Sequence, residues 1–371
     1  MSRLTRAFLE RIPKVELHVH LEGAVPRPAL DKLARKYGQP PFTALLDGSG
    51  RPKSCSAGER PPRPSFADFV EVWLKIGGLL REYEDYAFIA RALAGELRRQ
   101  NILYAEVLFS PARDSTAHLQ PDRITEAVAN GFASALTRNL NTRESAAELD
   151  PPAKPGAPSA GPAAVRLIAD FVRDNGPAEA DRTLDALLAM NNRLIAGIGI
   201  GGSEAPFPPE PFAPIFEKAR AAGLRTQAHA GESAGPASIW GAIRALRVDR
   251  IAHGVRARED AALTAYLKKT GLPLDMCPTS NIRTGAVETI ADHPAADFLR
   301  SGLKISLSTD DPMLFGTDLA GEFDSLVGAF ALTEDEVRAL LLNGIEAAWC
   351  GAEVKSCLGA AIREFFGRLK P

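Results

Sequence analysis

Two histidines, His18 and His20, stand one residue apart in the apolar stretch VELHVHLEG, in a chain that has only six histidines. Residues two apart on a β-strand point to the same side, so both imidazoles would project from one face. That is a chelating geometry, although an isolated pair of this kind is equally compatible with hydrogen-bonded histidines of a protein core.

The other residues that could do chemistry favour a metal site. His229 is the penultimate residue of the run RTQAHA and His253 ends RIAH, while Asp310 and Asp311 stand together in ISLSTDD. Imidazole nitrogens with a carboxylate oxygen suit zinc or a similar first-row divalent ion, which would lower the pKa of a bound water toward ~7 and favour hydrolysis. A structural zinc site is the alternative, but it favours Cys-rich ligation, and no cysteine accompanies this cluster.

Glu232 follows His229 by three residues, just beyond the same apolar run. From there its carboxyl would reach the same cavity without being a ligand, as a general acid. A glutamate at such a position is otherwise a solvated or helix-capping residue. Asp311 would face away from Asp310 on a regular strand, so its place in the cavity requires a bend of the chain.

Eight short apolar, β-rich runs provide the strands that must carry these side chains. Segments of helical periodicity separate the runs, and this alternation predicts an α/β fold, a (β/α)8 TIM barrel with extra helices and surface insertions. The predicted strands span residues 15–21, 102–109, 165–172, 195–202, 225–231, 250–254, 273–279 and 305–311. Barrel enzymes build their active sites at the carboxyl ends of the strands, where four histidines and the paired aspartates stand.

We expect residues 1–371 to form a single domain. Two segments, near 48–64 and 150–164, are too rich in Pro, Gly and Ala to pack a core, and we predict that both are surface loops of the barrel. Thr333 and Glu336 have the spacing of a capping box, which predicts the start of a late helix.

Composition restricts the partners and the location. The net charge of −2 does not show the excess of positive charge that is typical of proteins that bind nucleic acid or an anionic membrane, so a small-molecule partner is favoured. The four cysteines show neither a CxxC spacing nor the density of a disulfide framework, and we expect reduced thiols. Charges interrupt the N-terminal segment, and no run approaches a membrane span, so we expect a cytoplasmic protein.

The stretch GIGIGG at 197–202 satisfies the GxGxxG pattern of dinucleotide-binding sites. The prolines of the following SEAPFPPEPF prevent a helix from beginning at a pyrophosphate, so we reject that function. The glycines would instead let the backbone approach a ligand closely.

Taken together, PKVELHVHLEGA, YAEVLFSP, GGSE, AHAGE, IAHG and STDDP resemble the adenosine deaminase family, a branch of the metal-dependent amidohydrolase barrels, with the motifs in order from residue 13 to 318. The resemblance implies one zinc ion per chain, bound by His18, His20, His229 and Asp310. It also implies hydrolytic deamination of an adenine-containing purine, with adenosine or deoxyadenosine as the leading substrate and inosine or deoxyinosine and ammonia as products.

The same resemblance implies roles for the neighbouring residues. Glu232 would protonate N1 of the purine, and His253 would orient the hydroxide that attacks C6. Asp311 would hydrogen-bond to N7, and the backbone of Gly202 would meet N3. Glu22 stands where animal adenosine deaminases carry a ribose-contacting aspartate. Glutamate here is also seen in relatives that act on adenine, N6-methyl-AMP or aminodeoxyfutalosine, which are therefore alternative substrates.

Two rival functions are open at this point. A binuclear amidohydrolase would need a bridging carboxylated lysine at the end of the fourth strand, and IAGIGIGGSE contains no lysine. An inactive purine-binding protein would be expected to lack a ligand or the acid, and none is missing.

The remaining histidines, His118 and His293, lie in polar or helical surroundings and are predicted to be surface residues.

Overall fold

The computed structural model of the protein describes residues 4–42, 66–112, 118–138, 164–190 and 192–368. Within these ranges, eight parallel strands are hydrogen-bonded to one another in the order of the sequence. They are β1 (Lys14–His20), β2 (Ile102–Phe109), β3 (Ala164–Val172), β4 (Ile195–Gly201), β5 (Arg225–Ala230), β6 (Arg250–His253), β7 (Leu274–Met276) and β8 (Ile305–Leu307). The predicted (β/α)8 barrel is confirmed.

Helices connect the strands and cover the outside of the sheet. They are α1 (Arg6–Arg11), α2 (Arg27–Lys36), α3 (Phe66–Gly77), α4 (Tyr83–Arg99), α5 (Pro121–Arg138), α6 (Gly176–Met190), α7 (Ala213–Ala221), α8 (Pro236–Gly241), α9 (Ala261–Thr270), α10 (Pro278–Arg283), α11 (Ala295–Ser301), α12 (Pro312–Phe315), α13 (Leu319–Phe330), α14 (Glu334–Ala347) and α15 (Ala352–Gly367). The capping box predicted at Thr333 and Glu336 begins α14, with both reciprocal hydrogen bonds present.

The last two strands are shorter than predicted. β7 ends at Met276, since Pro278 begins α10, where its fixed φ suits the first turn of a helix. β8 ends at Leu307, and Asp310 adopts a left-handed conformation with φ of 66°. The polar residues after β8 therefore leave the strand in a bend, and the predicted strand ends at 279 and 311 are wrong.

The barrel closes between β8 and β1 through backbone hydrogen bonds of the residues singled out as metal ligands. The Asp310 amide donates to the His18 carbonyl at 2.9 Å, and the His20 amide donates to the Asp310 carbonyl at 2.8 Å. The two bonds form a parallel bridge between Val19 and Asp310. The Ser308 hydroxyl accepts a further hydrogen bond from the His18 amide at 3.1 Å.

A buried ion pair fills the barrel at the opposite end of β6 from His253. Arg250 Nη2 donates to Glu106 Oε2 at 2.7 Å, and both side chains are 0% exposed. The same Nη2 donates to Gln227 Oε1 at 2.7 Å, and the Trp349 ring covers the guanidinium at 4.3 Å. This cluster joins β2, β5 and β6 beneath the site.

Parts of the predicted surface segments are not described by the structure. The loop near 48–64 lies outside the described residues, as does 150–164 apart from Ala164, which begins β3. Among the helices of the described ranges, none combines the length and apolar character needed to cross a bilayer. The described cysteines are free, while Cys55 lies outside those ranges.

Substitution of Glu106 by alanine tests the ion pair. The change leaves the Arg250 guanidinium buried without its carboxylate, so we expect the free energy of unfolding to fall by about 3–5 kcal/mol. Urea denaturation followed by circular dichroism measures this loss. The double variant Glu106→Met with Arg250→Met removes both charges and is expected to recover part of it, whereas a loss below ~1 kcal/mol in the single variant would contradict the structural role.

Candidate metal centre and active site

Four side chains meet at the carboxyl ends of β1, β5 and β8. The Nε2 atoms of His18 and His20 are 3.2 Å apart, and His20 Nε2 lies 3.2 Å from His229 Nε2. Asp310 Oδ1 lies 3.4 Å from His18 Nε2 and 3.3 Å from His20 Nε2. All four residues are buried. The fold thus brings together the complete predicted ligand set.

These separations have the size of a coordination tetrahedron. Zinc bonds to nitrogen and oxygen are about 2.0–2.2 Å long, so neighbouring ligand atoms of a tetrahedral zinc lie about 3.3 Å apart. Nitrogen lone pairs that face one another at this distance repel unless a cation lies between them or one nitrogen is protonated. The cluster therefore fits a divalent cation, and its imidazole and carboxylate donors suit zinc.

The backbone of β4 orients His229. Its Nδ1 donates to the Ile200 carbonyl at 3.0 Å, which leaves the Nε2 lone pair for the cluster. Burial lowers the pKa of His229 well below its ordinary value, so the ring is kept in the neutral form that binds metals. Arg173, which is itself buried, donates to the His229 carbonyl at 2.7 Å and holds the end of β5 in place.

Glu232 and His253 lie side by side next to the four-residue cluster. Glu232 Oε2 is 3.5 Å from His253 Nε2, and Thr284 donates from its hydroxyl to Glu232 Oε1 at 2.9 Å. Burial raises the pKa of the Glu232 carboxyl above its ordinary value. A raised pKa increases the protonated fraction near neutral pH, as a general acid requires.

Glu204 holds the loop that carries Glu232. Its carboxylate accepts hydrogen bonds from the amides of Gly231 at 3.0 Å, Glu232 at 3.1 Å and Ala234 at 3.1 Å. The motif GGSE does not by itself predict this contact, because it depends on how closely the loops after β4 and β5 approach. The fold thus supplies the positioning that the sequence motif leaves open.

Asp311 turns into the site because the chain bends after β8. Its side chain is buried, and its Oδ1 has no hydrogen-bond partner among the described residues. A Cβ on Gly23 would lie 1.5 Å from this oxygen, so the glycine of HLEG makes room for it. Burial, together with the negative charge of Asp310, raises the pKa of Asp311 well above its ordinary value and favours a carboxylic acid that can donate a hydrogen bond.

Glu22 and Gly202 lie at two further strand ends. Glu22 is buried and accepts a hydrogen bond from the Ser110 amide at 3.1 Å. Gly202 is exposed after β4 with φ of 95°, and a Cβ there would lie 2.3 Å from Asp174 Oδ2. The backbone of Gly202 is open to a ligand, while the substrate contacts of both residues stay predictions.

Asp170 on β3 is a site residue that the sequence motifs do not indicate. Its side chain is 4% exposed, and its Oδ1 lies 3.9 Å from His229 Nδ1 with no hydrogen-bond partner among the described residues. The glycines of GIGIGG accommodate it, since a Cβ on Gly199 would be 2.4 Å from Oδ1 and one on Gly201 would be 2.7 Å from Oδ2. The signal in the sequence is an aspartate within an apolar strand that neighbours a glycine-rich strand.

His293 is buried, which corrects the prediction that it lies on the surface. Its exposure is 1%, and its Nε2 is 3.1 Å from Asn281 Oδ1. The Asn281 Nδ2 is in turn 3.0 Å from His253 Nδ1. The polar residues next to His293 in the sequence do not indicate that it is buried, because the residues that cover it come from distant parts of the chain. His118 is exposed as predicted.

A barrel with imidazole and carboxylate ligands gathered at its carboxyl end defines the class of metal-dependent hydrolases. A family model described as adenosine deaminase matches residues 13–365. The chain belongs to the adenosine deaminase family, and it is a hydrolase that acts on carbon–nitrogen bonds.

Individual relatives match along nearly the whole chain. An aminodeoxyfutalosine deaminase from Streptomyces avermitilis is 31% identical over 365 residues, which are 97% of this chain and 93% of the relative. The crystal structure of an adenine deaminase from Arthrobacter aurescens is similar with a TM-score of 0.81, 27% identity, and coverage of 96% of this chain and 99% of that chain. The crystal structure of an amidohydrolase from Burkholderia ambifaria with bound Zn has a TM-score of 0.79 and 27% identity, and the match covers 99% of this chain and 94% of that chain.

Substitution of Asp170 by asparagine tests whether this carboxylate supports the metal centre. The change replaces the carboxyl group beside His229 by an amide of nearly the same shape, and we expect zinc affinity to fall about 10–100-fold, the range typical for groups that flank metal ligands. Competition with a chromophoric chelator measures the dissociation constant. Asp174→Asn makes the same change four residues further on at an exposed side chain and is expected to leave zinc affinity unchanged. Equal affinities for the Asp170 variant and the native protein would contradict the role.

The buried His293 predicts a specific dependence of stability on pH. Burial, with smaller effects of Arg258 and His253, lowers the pKa of His293 from 6.5 to about 3. Between these values the unfolded chain binds one more proton than the folded chain, so the free energy of unfolding falls as pH falls, by about 1.4 kcal/mol per pH unit.

The variant His293→Gln should lack this contribution. Urea unfolding between pH 6 and 5 is expected to give a flatter stability profile for the variant, by about 1.4 kcal/mol per pH unit. Groups that titrate in both proteins cancel in the comparison. Parallel profiles would show that His293 is protonated equally in the folded and unfolded states.

Proposed function

We propose that this protein is a zinc-dependent deaminase that hydrolyses the 6-amino group of an adenine base, with one zinc ion per chain. The observation that carries the proposal is the buried cluster of four ligand atoms, in which four of the separations are 3.2–3.4 Å, with a carboxyl of raised pKa beside it. One ion is proposed because β4 ends in glycine, without the lysine that a second metal needs.

His18, His20, His229 and Asp310 would hold the ion. When bound, zinc supplies a water of lowered pKa and hence a hydroxide nucleophile near neutral pH. Ser280 donates from its hydroxyl to Asp310 Oδ2 at 2.6 Å, which leaves Oδ1 to face the imidazoles.

The remaining residues would move protons and hold the purine. Glu232, protonated at its carboxyl, would give a proton to N1, which withdraws electrons from C6 as the oxygen adds. C6 becomes tetrahedral, one proton of the added water is transferred to the amino nitrogen, and the bond between C6 and that nitrogen breaks so that ammonia leaves. The other proton of the water returns to Glu232, which restores its carboxylic acid form. Asp311 would donate to N7, and the backbone of Gly202 would meet N3. His253 would orient the attacking oxygen.

The relatives guide the choice among adenine-bearing substrates. A relative named adenosine deaminase, from Erwinia tasmaniensis, is 32% identical over 355 residues, which are 95% of this chain. The solved structures of N6-methyl-AMP deaminases are 23% identical, so their likeness supports the fold alone. We therefore propose adenosine or deoxyadenosine as the leading substrates, and rank N6-methyl-AMP below them.

Aminodeoxyfutalosine is the second candidate substrate. A relative 31% identical over 97% of this chain carries that activity in its name, and the compound is an adenine nucleoside without a phosphate. Adenine is the smallest alternative. An inactive purine-binding protein is disfavoured because the ligand set and the acid are both complete.

A substrate panel tests the proposed reaction. Zinc-loaded protein is expected to release ammonia and shift the purine absorbance with at least one of adenosine, deoxyadenosine, adenine and aminodeoxyfutalosine. N6-methyl-AMP is expected to react more slowly than the preferred nucleoside. Absence of turnover with every adenine-bearing compound would reject the function, and a metal content of two ions per chain would favour the binuclear alternative.

The variant Glu232→Gln tests the assigned acid. An amide cannot deliver the carboxyl proton, so we expect kcat to fall about 10²–10⁴-fold while zinc content and the circular dichroism spectrum are retained. Glu217→Gln, at an exposed glutamate of α7, is the matched control and should keep full activity. Unchanged turnover in the Glu232 variant would show that another group protonates the purine.

A further inference from the structure

A chain of three hydrogen bonds runs from a backbone amide to the ring of His253. The Ala295 amide lies 3.3 Å from His293 Nδ1, and His293 Nε2 lies 3.1 Å from Asn281 Oδ1. Asn281 Nδ2 then lies 3.0 Å from His253 Nδ1. Asn281, His293 and His253 are all buried.

The backbone amide of Ala295 determines which group donates and which accepts in each of the three hydrogen bonds. A backbone N–H can only donate, so His293 Nδ1 must accept from Ala295. Burial lowers the pKa of His293 to about 3, which keeps the ring neutral with its single proton on Nε2. That proton can only be given to an acceptor, so the Asn281 side-chain oxygen faces His293 and its NH₂ group faces His253.

The last bond determines which nitrogen of His253 carries hydrogen. Because Asn281 donates to Nδ1, the neutral ring must carry its proton on Nε2. This Nε2 is buried, has no hydrogen-bond partner among the described residues, and lies 3.5 Å from Glu232 Oε2. The free N–H thus points toward the proposed site of reaction.

We propose that Asn281 and His293 are positioning residues that hold His253 as the Nε2–H tautomer, so that His253 donates a hydrogen bond into the site and does not accept a proton there. The use of that donor rests on the proposed function: it would orient the oxygen that attacks C6, and Glu232 would carry out the proton transfers. The tautomer itself is a property of the chain and does not depend on the reaction.

The variant Asn281→Asp reverses the last hydrogen bond with almost no change in shape. One carboxylate oxygen still accepts from His293, but the other can only accept from His253. The proton of His253 is therefore expected to move from Nε2 to Nδ1. Fixing a catalytic imidazole in the wrong tautomer can lower kcat by about 10⁴-fold, and we expect a loss of about 10²–10⁴-fold with a much smaller change in KM.

The tautomer can be read directly by NMR. Protonated and unprotonated ring nitrogens differ widely in ¹⁵N shift, and the chain has only six histidines, which single substitutions can assign. Metal-free protein labelled with ¹⁵N-histidine is expected to show the proton of His253 on Nε2, and the Asn281→Asp variant to show it on Nδ1.

Two further changes separate the proposed role from loss of stability. Asn101 donates from its side chain to the Arg11 carbonyl at 2.8 Å, so Asn101→Asp makes the same change remote from the site and should leave the tautomer unaltered. His293→Leu removes the donor to Asn281 and should produce a mixture of tautomers. His293→Gln, which can still accept from Ala295 and donate to Asn281, should restore Nε2–H. If Asn281→Asp does not fold, the two His293 variants still test whether the hydrogen-bond chain sets the tautomer of His253.

The outcomes distinguish this inference from the proposed function. Native protein with the proton of His253 on Nδ1, or a tautomer unchanged in both Asn281→Asp and His293→Leu, would overturn the positioning role even if adenosine is deaminated. The expected tautomers without turnover of any adenine compound would support the positioning chain and reject the proposed reaction.

Discussion

Two backbone hydrogen bonds, between Asp310 and the pair His18 and His20, both close the barrel and assemble the candidate metal centre. The left-handed backbone of Asp310 allows its amide and carbonyl to bond to β1 while its side chain faces the imidazoles. The hydrogen bonds that close the barrel therefore also bring the side chains of the candidate ligands together. A cation held by these side chains would bind only the folded state, so its binding free energy would add to the stability of the barrel.

The loop of Glu232 and the ring of His229 are held by partners with fixed hydrogen-bonding directions. Glu204 accepts three backbone amides at the loop of Glu232, and Ile200 accepts from His229. Such partners limit the number of orientations that each side chain can adopt. Burial raises the pKa of the carboxyls of Glu232 and Asp311, which is the condition for proton donation near neutral pH.

Glycine has a spatial role that links the motifs to the site. Gly23 leaves room for the Asp311 carboxyl, while Gly199 and Gly201 leave room for Asp170. Each glycine and the carboxylate that it accommodates lie on different segments of the chain. A substitution at any of these glycines would therefore act on the chemistry through displacement of a neighbouring acid.

The sequence by itself determined the strand and helix alternation, the residue types of the ligand cluster, and their places at strand ends, because alternation, caps and motifs are properties of a few adjacent residues. It did not determine that Asp170 enters the site, that His293 is buried, or that the chain bends after β8. These features depend on which side chains meet across neighbouring strands and loops. Only the closed barrel, through its register and packing, decides those contacts.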